Sequence, residues 1–132
     1  FNPLLDVDGV SFFSLQLGKG AGECAREPWS ERVTDLAPSL TDFAATAAAV
    51  NELDLVITVD TAVAHLAGAM SKSVWILVPQ GNDWRWLHGR DDSPWYPTAR
   101  LFCQLRERNW RPVIVAMTRS LSELAAGQGD KK

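Results

Sequence analysis

The chain is poor in the features that announce the easily recognised classes of protein. Its two cysteines, Cys24 and Cys103, make neither a disulfide framework nor the paired spacing of a zinc site, so reduced thiols in a cytoplasm are the expected state. It has no excess of positive charge: 13 basic against 16 acidic residues leave a net charge of -3. That removes any general attraction to nucleic acid or to an anionic membrane, and an anion must then be held by local geometry. Long apolar runs are missing too. Leu55 to Val59 and Val74 to Val78 are strand-sized, far short of the ~20 residues a membrane span requires. The sequence opens at Phe1 without an initiator Met or a basic-then-apolar leader, the pattern of a piece cut from a longer protein. It has no internal repeat, and low complexity is confined to Ala44 to Ala49 and to Gly127 to Lys132.

What remains is an ordinary globular composition, 46% apolar and 22% charged over 132 residues, which is one domain's worth of chain with enough apolar surface to fold. Val10 to Leu15 reads as a buried first strand closed by Gly18, and Val33 to Leu36 as a short second strand. Ser39 and Asp42 resemble a capping box, so a helix is expected from Leu40 with Leu40, Phe43, Ala44 and Ala47 as its apolar stripe. Asp54 to Val59 is a near-continuous β-branched run of the kind found in a central parallel strand covered on both faces. The period changes to 3.6 over Asp60 to Met70, with Val63, Leu66, Ala67 and Met70 on one side. Val74 to Val78 supplies another buried strand, Leu101 to Cys103 a last short one, and Asn109 with Pro112 opens a final helix carrying Ile114, Met117, Leu121 and Leu124. Alternating strands and helices give an α/β fold, a Rossmann-like doubly wound parallel sheet over residues 1–126 followed by a flexible tail at 127–132, with ligands expected at the carboxyl ends of the strands.

That rule draws attention to Asp60-Thr61-Ala62-Val63-Ala64-His65, where a strand meets a helix. Unpaired amides and the positive end of the helix dipole make such a junction a phosphate site. The Thr61 hydroxyl and the small Ala62 fit beside a phosphate. His65, four residues on and therefore on the same helical face, is placed to donate a hydrogen bond to it. Asp60 either caps the helix or binds a sugar hydroxyl. The competing reading makes Asp60 a cap alone and His65 a satisfied buried histidine. Further contacts to a sugar or base are expected from Gln16, Lys19, Gln80, Asp83, Trp84, Arg85 and Trp86, because the segments from Asn82 to Trp86 and Asp92 to Pro97 bring aromatic faces and fixed donors together. Against this, Trp side chains in such a segment can simply plug a surface groove. Lys19 sits in a Gly-Lys-Gly triplet that matches no phosphate loop, and a solvated lysine is the plainer reading.

The run DLVITVDTAVAHLAGAMSKSVWILVP resembles the nucleotide-sugar-binding segment of the bacterial heptosyltransferases, glycosyltransferase family 9, in which an Asp-Thr-Gly-x-x-His-Leu-Ala-like motif follows a buried strand. With SLQ at Ser14 to Gln16 and the DWRW and DSPWYP segments, the likeness extends to the carboxyl-terminal domain found behind tetratricopeptide repeats in a bacterial subgroup. The resemblance implies the second half of a GT-B fold and an inverting, metal-independent transferase. On that reading Asp60, Thr61 and His65 bind the donor's diphosphate and sugar, no cofactor is needed, and the catalytic carboxylate belongs to an amino-terminal acceptor domain absent from this chain. The fragment would then bind a nucleotide sugar without turning it over. It departs from the family pattern at Ala62, often Gly, and at Ser71 and Ser73, often Gly and Pro; a non-Gly residue in a left-handed helix cap costs on the order of 1 kcal/mol.

Two rivals stand beside this reading. One is a non-catalytic nucleotide-sugar or protein-binding module of a repeat scaffold. The other is a receiver-like signalling domain with Asp60 as phosphoacceptor, which would also need an acidic pair after the first strand and a Lys after the last, and neither is present at those places.

Overall fold

The computed structural model describes residues 2–20, 26–81, 84–87 and 89–129. It is an α/β protein whose strands are all parallel: β1 (Phe12–Ser14), β2 (Val33–Asp35), α1 (Phe43–Glu52), β3 (Val56–Val59), α2 (Ala62–Ala69), β4 (Val74–Val78), β5 (Ala99–Cys103) and α3 (Arg111–Gly129). The strands form one two-stranded sheet, β1-β2, and one three-stranded sheet, β3-β4-β5. The contacts divide the chain into two compact units, one made of residues up to Thr46 with those from Ile114 onward, the other Ala47–Val113. The architecture matches a Rossmann-like fragment. No helix among the described residues is long and apolar enough to cross a membrane.

In the first unit β1 is shorter than expected and only partly buried, because its three residues have a single neighbour, β2. Arg32 ties the opening turn Asn2–Asp6 to the turn Ser30–Arg32 through the Asp6 carboxylate at 2.8 Å and the Leu5 carbonyl. The expected start of α1 is also corrected. Ser39 lies in a separate 3-10 turn, Ala37–Ser39, and the helix opens at Phe43, where the Asp42 carboxylate accepts from the Ala45 amide at 2.7 Å. Asp42 is therefore the cap, the position where a short side-chain acceptor satisfies a first-turn amide. The apolar stripe shifts with it: Phe43 and Ala44 are exposed, and Thr46 and Val50 are the buried positions. Thr46 is satisfied there by donating to the Asp42 carbonyl at 3.0 Å.

In the second unit every residue of β4 is buried, and β4, not β3, is the central strand of its sheet. Trp75 lies opposite Arg100 and Leu77 opposite Phe102, so alternate side chains share a face on which the Trp75 and Phe102 rings meet at 5.2 Å and the Arg100 guanidinium sits 4.8 Å from the Phe102 ring. The buried face of α2 is Ala64, Ala67 and Gly68, not the larger Val63, Leu66 and Met70, which are only partly buried. The helix ends in a Schellman motif: the Ser71 amide donates to the Gly68 carbonyl at 3.0 Å and the Lys72 amide to the Ala67 carbonyl at 2.9 Å. Ser71 takes the left-handed conformation, φ 56°, which is the strain expected from the absence of glycine there.

α3 crosses from one unit into the other and buries Val113, Met117, Ser120 and Leu121. The strand-favouring triplet Val113-Ile114-Val115 is helical, and the helix runs to Gly129, beyond the boundary at which the tail is expected.

Candidate functional site

The candidate site lies wholly within the second unit, at the junction of β3 and α2. Val59 ends the strand, Thr61 is the extended N-cap residue (φ -140°, ψ 172°), and Ala62 begins the helix. The Thr61 carbonyl accepts from the Ala64 amide at 3.0 Å and the His65 amide at 3.4 Å. Its hydroxyl makes no capping bond; it lies 3.2 Å from the Thr58 hydroxyl instead. Asp60, Thr61 and Ala62 are exposed. The helix therefore opens outward with no side-chain cap, and this is the arrangement in which first-turn amides and the helix dipole attract an anion.

His65 is bound more closely than the sequence suggests. Its Nδ1 is 2.9 Å from the Tyr96 hydroxyl and its Nε2 3.3 Å from Asp60 Oδ1. Trp86 stacks on the imidazole at 5.5 Å and 19° between planes, and Tyr96 meets it edge-on at 5.8 Å. Which of Nδ1 and the Tyr96 hydroxyl donates in their hydrogen bond is set by the tautomer of the ring. His65 thus lies between Asp60 and Tyr96, and Thr61, not Asp60, occupies the N-cap position.

The residues that hold the bridge were only partly visible in sequence. Trp86 is 1% exposed, so it supports His65 from beneath instead of presenting a face to a ligand, and its indole Nε1 is buried with no hydrogen-bond partner among the described residues. Tyr96 packs on α2 at Gly68, where an added Cβ would fall 2.4 Å from Tyr96 Cγ. Helical spacing marks neither contact, because each reaches across the unit from another segment. Trp84 and Trp95, by contrast, are 68% and 57% exposed and lie edge to face at 6.2 Å; the Arg85 guanidinium sits 5.8 Å from the Trp84 ring.

Gln80 is exposed just beyond the end of β4, near Gln104, whose side-chain oxygen accepts from the Asn109 amide and the Trp110 indole at 3.2 Å each. It borders a concavity of about 550 Å³ at the carboxyl ends of β4 and β5, along with Leu87, Arg90, Asp91, Cys103 and Gln104. Burial pushes the Cys103 thiol above its usual range, which keeps it protonated and unreactive at neutral pH. Beside it Arg90 grips Asp92 with two bonds of 2.6 and 2.8 Å, and the guanidinium holds the Asp92 carboxyl below the usual carboxylate range. That cation is already neutralised.

Gln16 and Lys19 belong to the first unit. Gln16 is exposed after β1, its amide 3.3 Å from the Ser14 hydroxyl and its own amide group lying against Gly20. Lys19 sits in the short turn Gly18–Gly20, and its side chain lies outside the described residues, as do Asp83 and Cys24.

Comparison with known proteins bears on this same stretch. Protein FlbA of Caulobacter vibrioides is 34% identical over 133 residues, an alignment that takes in 96% of this chain and 22% of that protein. The chain therefore spans about a fifth of the length of the curated relative it matches. No solved structure gives a significant match. The family model that matches is glycosyltransferase family 9 (heptosyltransferase), over residues 18–77, a span that holds β3, the open turn at Thr61, His65 and most of β4, and stops short of Trp86 and Tyr96.

Proposed function

We propose that this chain is the donor-binding part of an inverting, metal-independent glycosyltransferase and holds the diphosphate of a nucleotide sugar at the opening of α2. The observation that carries the reading is the uncapped, outward-facing start of that helix, inside the stretch that matches the heptosyltransferase family. In this role the first-turn amides and the roughly half-charge of the helix dipole stabilise negative charge as it gathers on the leaving nucleoside diphosphate. Thr61 and Ala62 border the phosphates, Asp60 takes sugar hydroxyls, and Trp84 with Arg85 offers a stacking face for a sugar or base. The catalytic carboxylate and the acceptor site lie in an amino-terminal domain of the parent protein, so this portion binds and does not turn over. A repeat-bearing cytoplasmic parent of bacterial origin is part of the same proposal.

The internal engagement of His65 gives some weight to a second reading, a binding module without catalysis. A parent protein whose amino-terminal domain lacks a suitable carboxylate would favour it.

A thermal-shift panel of ADP-, UDP-, GDP- and CMP-linked sugars tests the proposal, because a ligand at one hundred times its Kd stabilises by about 2.7 kcal/mol. One nucleotide class is expected to raise Tm in the wild type and to raise it much less in His65→Ala. His65→Ala itself is also expected to lower the unliganded Tm, since its ring is stacked and hydrogen-bonded. A panel with no response in the wild type contradicts the proposal.

A further inference from the structure

Four aromatic residues of the second unit split between core and solvent in the same way. Trp84 and Trp86 belong to one 3-10 turn, Trp84–Trp86, with Trp86 buried against His65 and Trp84 open to solvent. Tyr96 packs inward on Gly68, while its neighbour Trp95 stays outside. The two outward rings meet at 6.2 Å and 90°, and the two inward ones at 6.4 Å. Each exposed tryptophan is thus anchored by an inward ring one or two residues away.

The backbone that carries them is fixed as well. The Leu87 amide donates to the Trp84 carbonyl at 3.3 Å, the Ala99 amide to the Tyr96 carbonyl at 2.9 Å, and the Trp95 amide to the hydroxyl of buried Ser93 at 3.3 Å. Pro94 and Pro97 lock two more backbone angles around Trp95. Leaving two indoles in water opposes the hydrophobic effect. A fold that also holds them rigid presents a preorganised face, which loses little entropy on taking a ligand.

We propose that Trp84 and Trp95 form a carbohydrate-binding face, with a pyranose ring laid across the two indoles. The C-H groups on one side of a pyranose make an apolar surface that packs on an indole. Its hydroxyls radiate from the edge, where they stay in water or meet the Arg85 guanidinium, 5.8 Å from the Trp84 ring. Rings at right angles cannot clasp a flat nucleobase between parallel faces, but they form a corner that a puckered ring fills with one face and one edge. Two tryptophans offer at most about 500 Å², the size of a small ligand and below the ~800 Å² per side of a stable protein contact. The choice of carbohydrate rests on the transferase reading above. The face itself needs no phosphate and no part of α2, and it lies beyond residues 18–77 of the family match.

The test is saturation-transfer NMR on the full 132-residue chain with four unphosphorylated disaccharides as probes: maltose, cellobiose, lactose and chitobiose. At least one should bind saturably, with transfer strongest to the C-H protons of one ring face. Trp84→Ala and Trp95→Ala should each weaken that binding about tenfold, the loss of one aromatic contact. Both should keep Tm within about 3 °C of the wild type, since these side chains are exposed. No saturable binding of any of the four, or unchanged affinity in either variant, overturns the proposal. So does adenosine or a decaproline peptide that displaces the sugar and binds more tightly through the same two rings, which assigns the face to a base or to a partner protein. Because the probes carry no phosphate, they are read separately from the nucleotide-sugar panel. Disaccharide binding beside a silent panel leaves the face standing and removes the donor reading; the converse removes the face alone.

Discussion

Replacing Trp86 with alanine should remove about 3–5 kcal/mol of stability, a large share of the 5–15 kcal/mol that holds a typical domain together. The ring is essentially fully buried, and its removal leaves a cavity beneath His65 and beside Tyr96 that the surrounding strands and helix cannot close. Trp86→Phe should behave differently. It preserves an aromatic face for the imidazole and deletes an indole N-H that is buried without a partner among the described residues, a group whose burial itself costs about 1–3 kcal/mol. The two terms oppose each other, and the phenylalanine variant should retain most of the stability. Denaturant midpoints at equal slope read the difference, and a cost below about 1 kcal/mol for Trp86→Ala would show that the ring is not the support described.

The second large effect is at Gly68, where two forces of opposite sign can be compared. In an open helix, alanine is about 1 kcal/mol better than glycine. Here the new methyl would stand 2.4 Å from Tyr96 Cγ and 2.9 Å from Tyr96 Cβ. Those atoms are the root of the side chain, so the whole ring must shift and with it the bond to His65. Overpacking of this kind costs about 1–3 kcal/mol, and Gly68→Ala should be net destabilising. Combining it with Tyr96→Ala should reverse the sign, because the obstacle is gone and only the helix preference remains. A more stable Gly68→Ala in the otherwise native chain would contradict the packing argument.

The parts of this fold that could be read in advance are those decided by local pattern. The unbroken apolar run of β4 is a fully buried strand, and the switch from strand to helical period at Thr61 falls where the N-cap is. α3 was legible despite its β-branched start because apolar positions recur at helical spacing through Leu121. Errors arose where the answer depends on distant chain. Nothing within β3 says that β4 takes the central place in their sheet, and nothing near Phe43 says that this side of α1 faces outward. The helix start was misplaced because Ser39 and Asp42 share the spacing of a capping pair, while Pro38 sits in a short turn that holds Ser39 apart from the helix.

The site shows the same division. Asp60, Thr61 and Ala62 stand together at an open helix end as their order implies. The partner of His65 lies 31 residues away, and no periodicity connects a histidine on α2 to a tyrosine between two prolines. The lone tyrosine of the sequence was the available signal, but chemistry alone did not say which aromatic residue of that segment turns inward. Trp86 and Tyr96 do so; Trp84 and Trp95 remain in solvent.

The most direct measurement is amide chemical-shift mapping with a nucleoside diphosphate titrated into the labelled chain. The amides of Thr61, Ala62, Val63 and His65 should move first and furthest and saturate together. Saturable binding that leaves those amides unmoved and perturbs another surface instead would show that the opening of α2 is not the anion site.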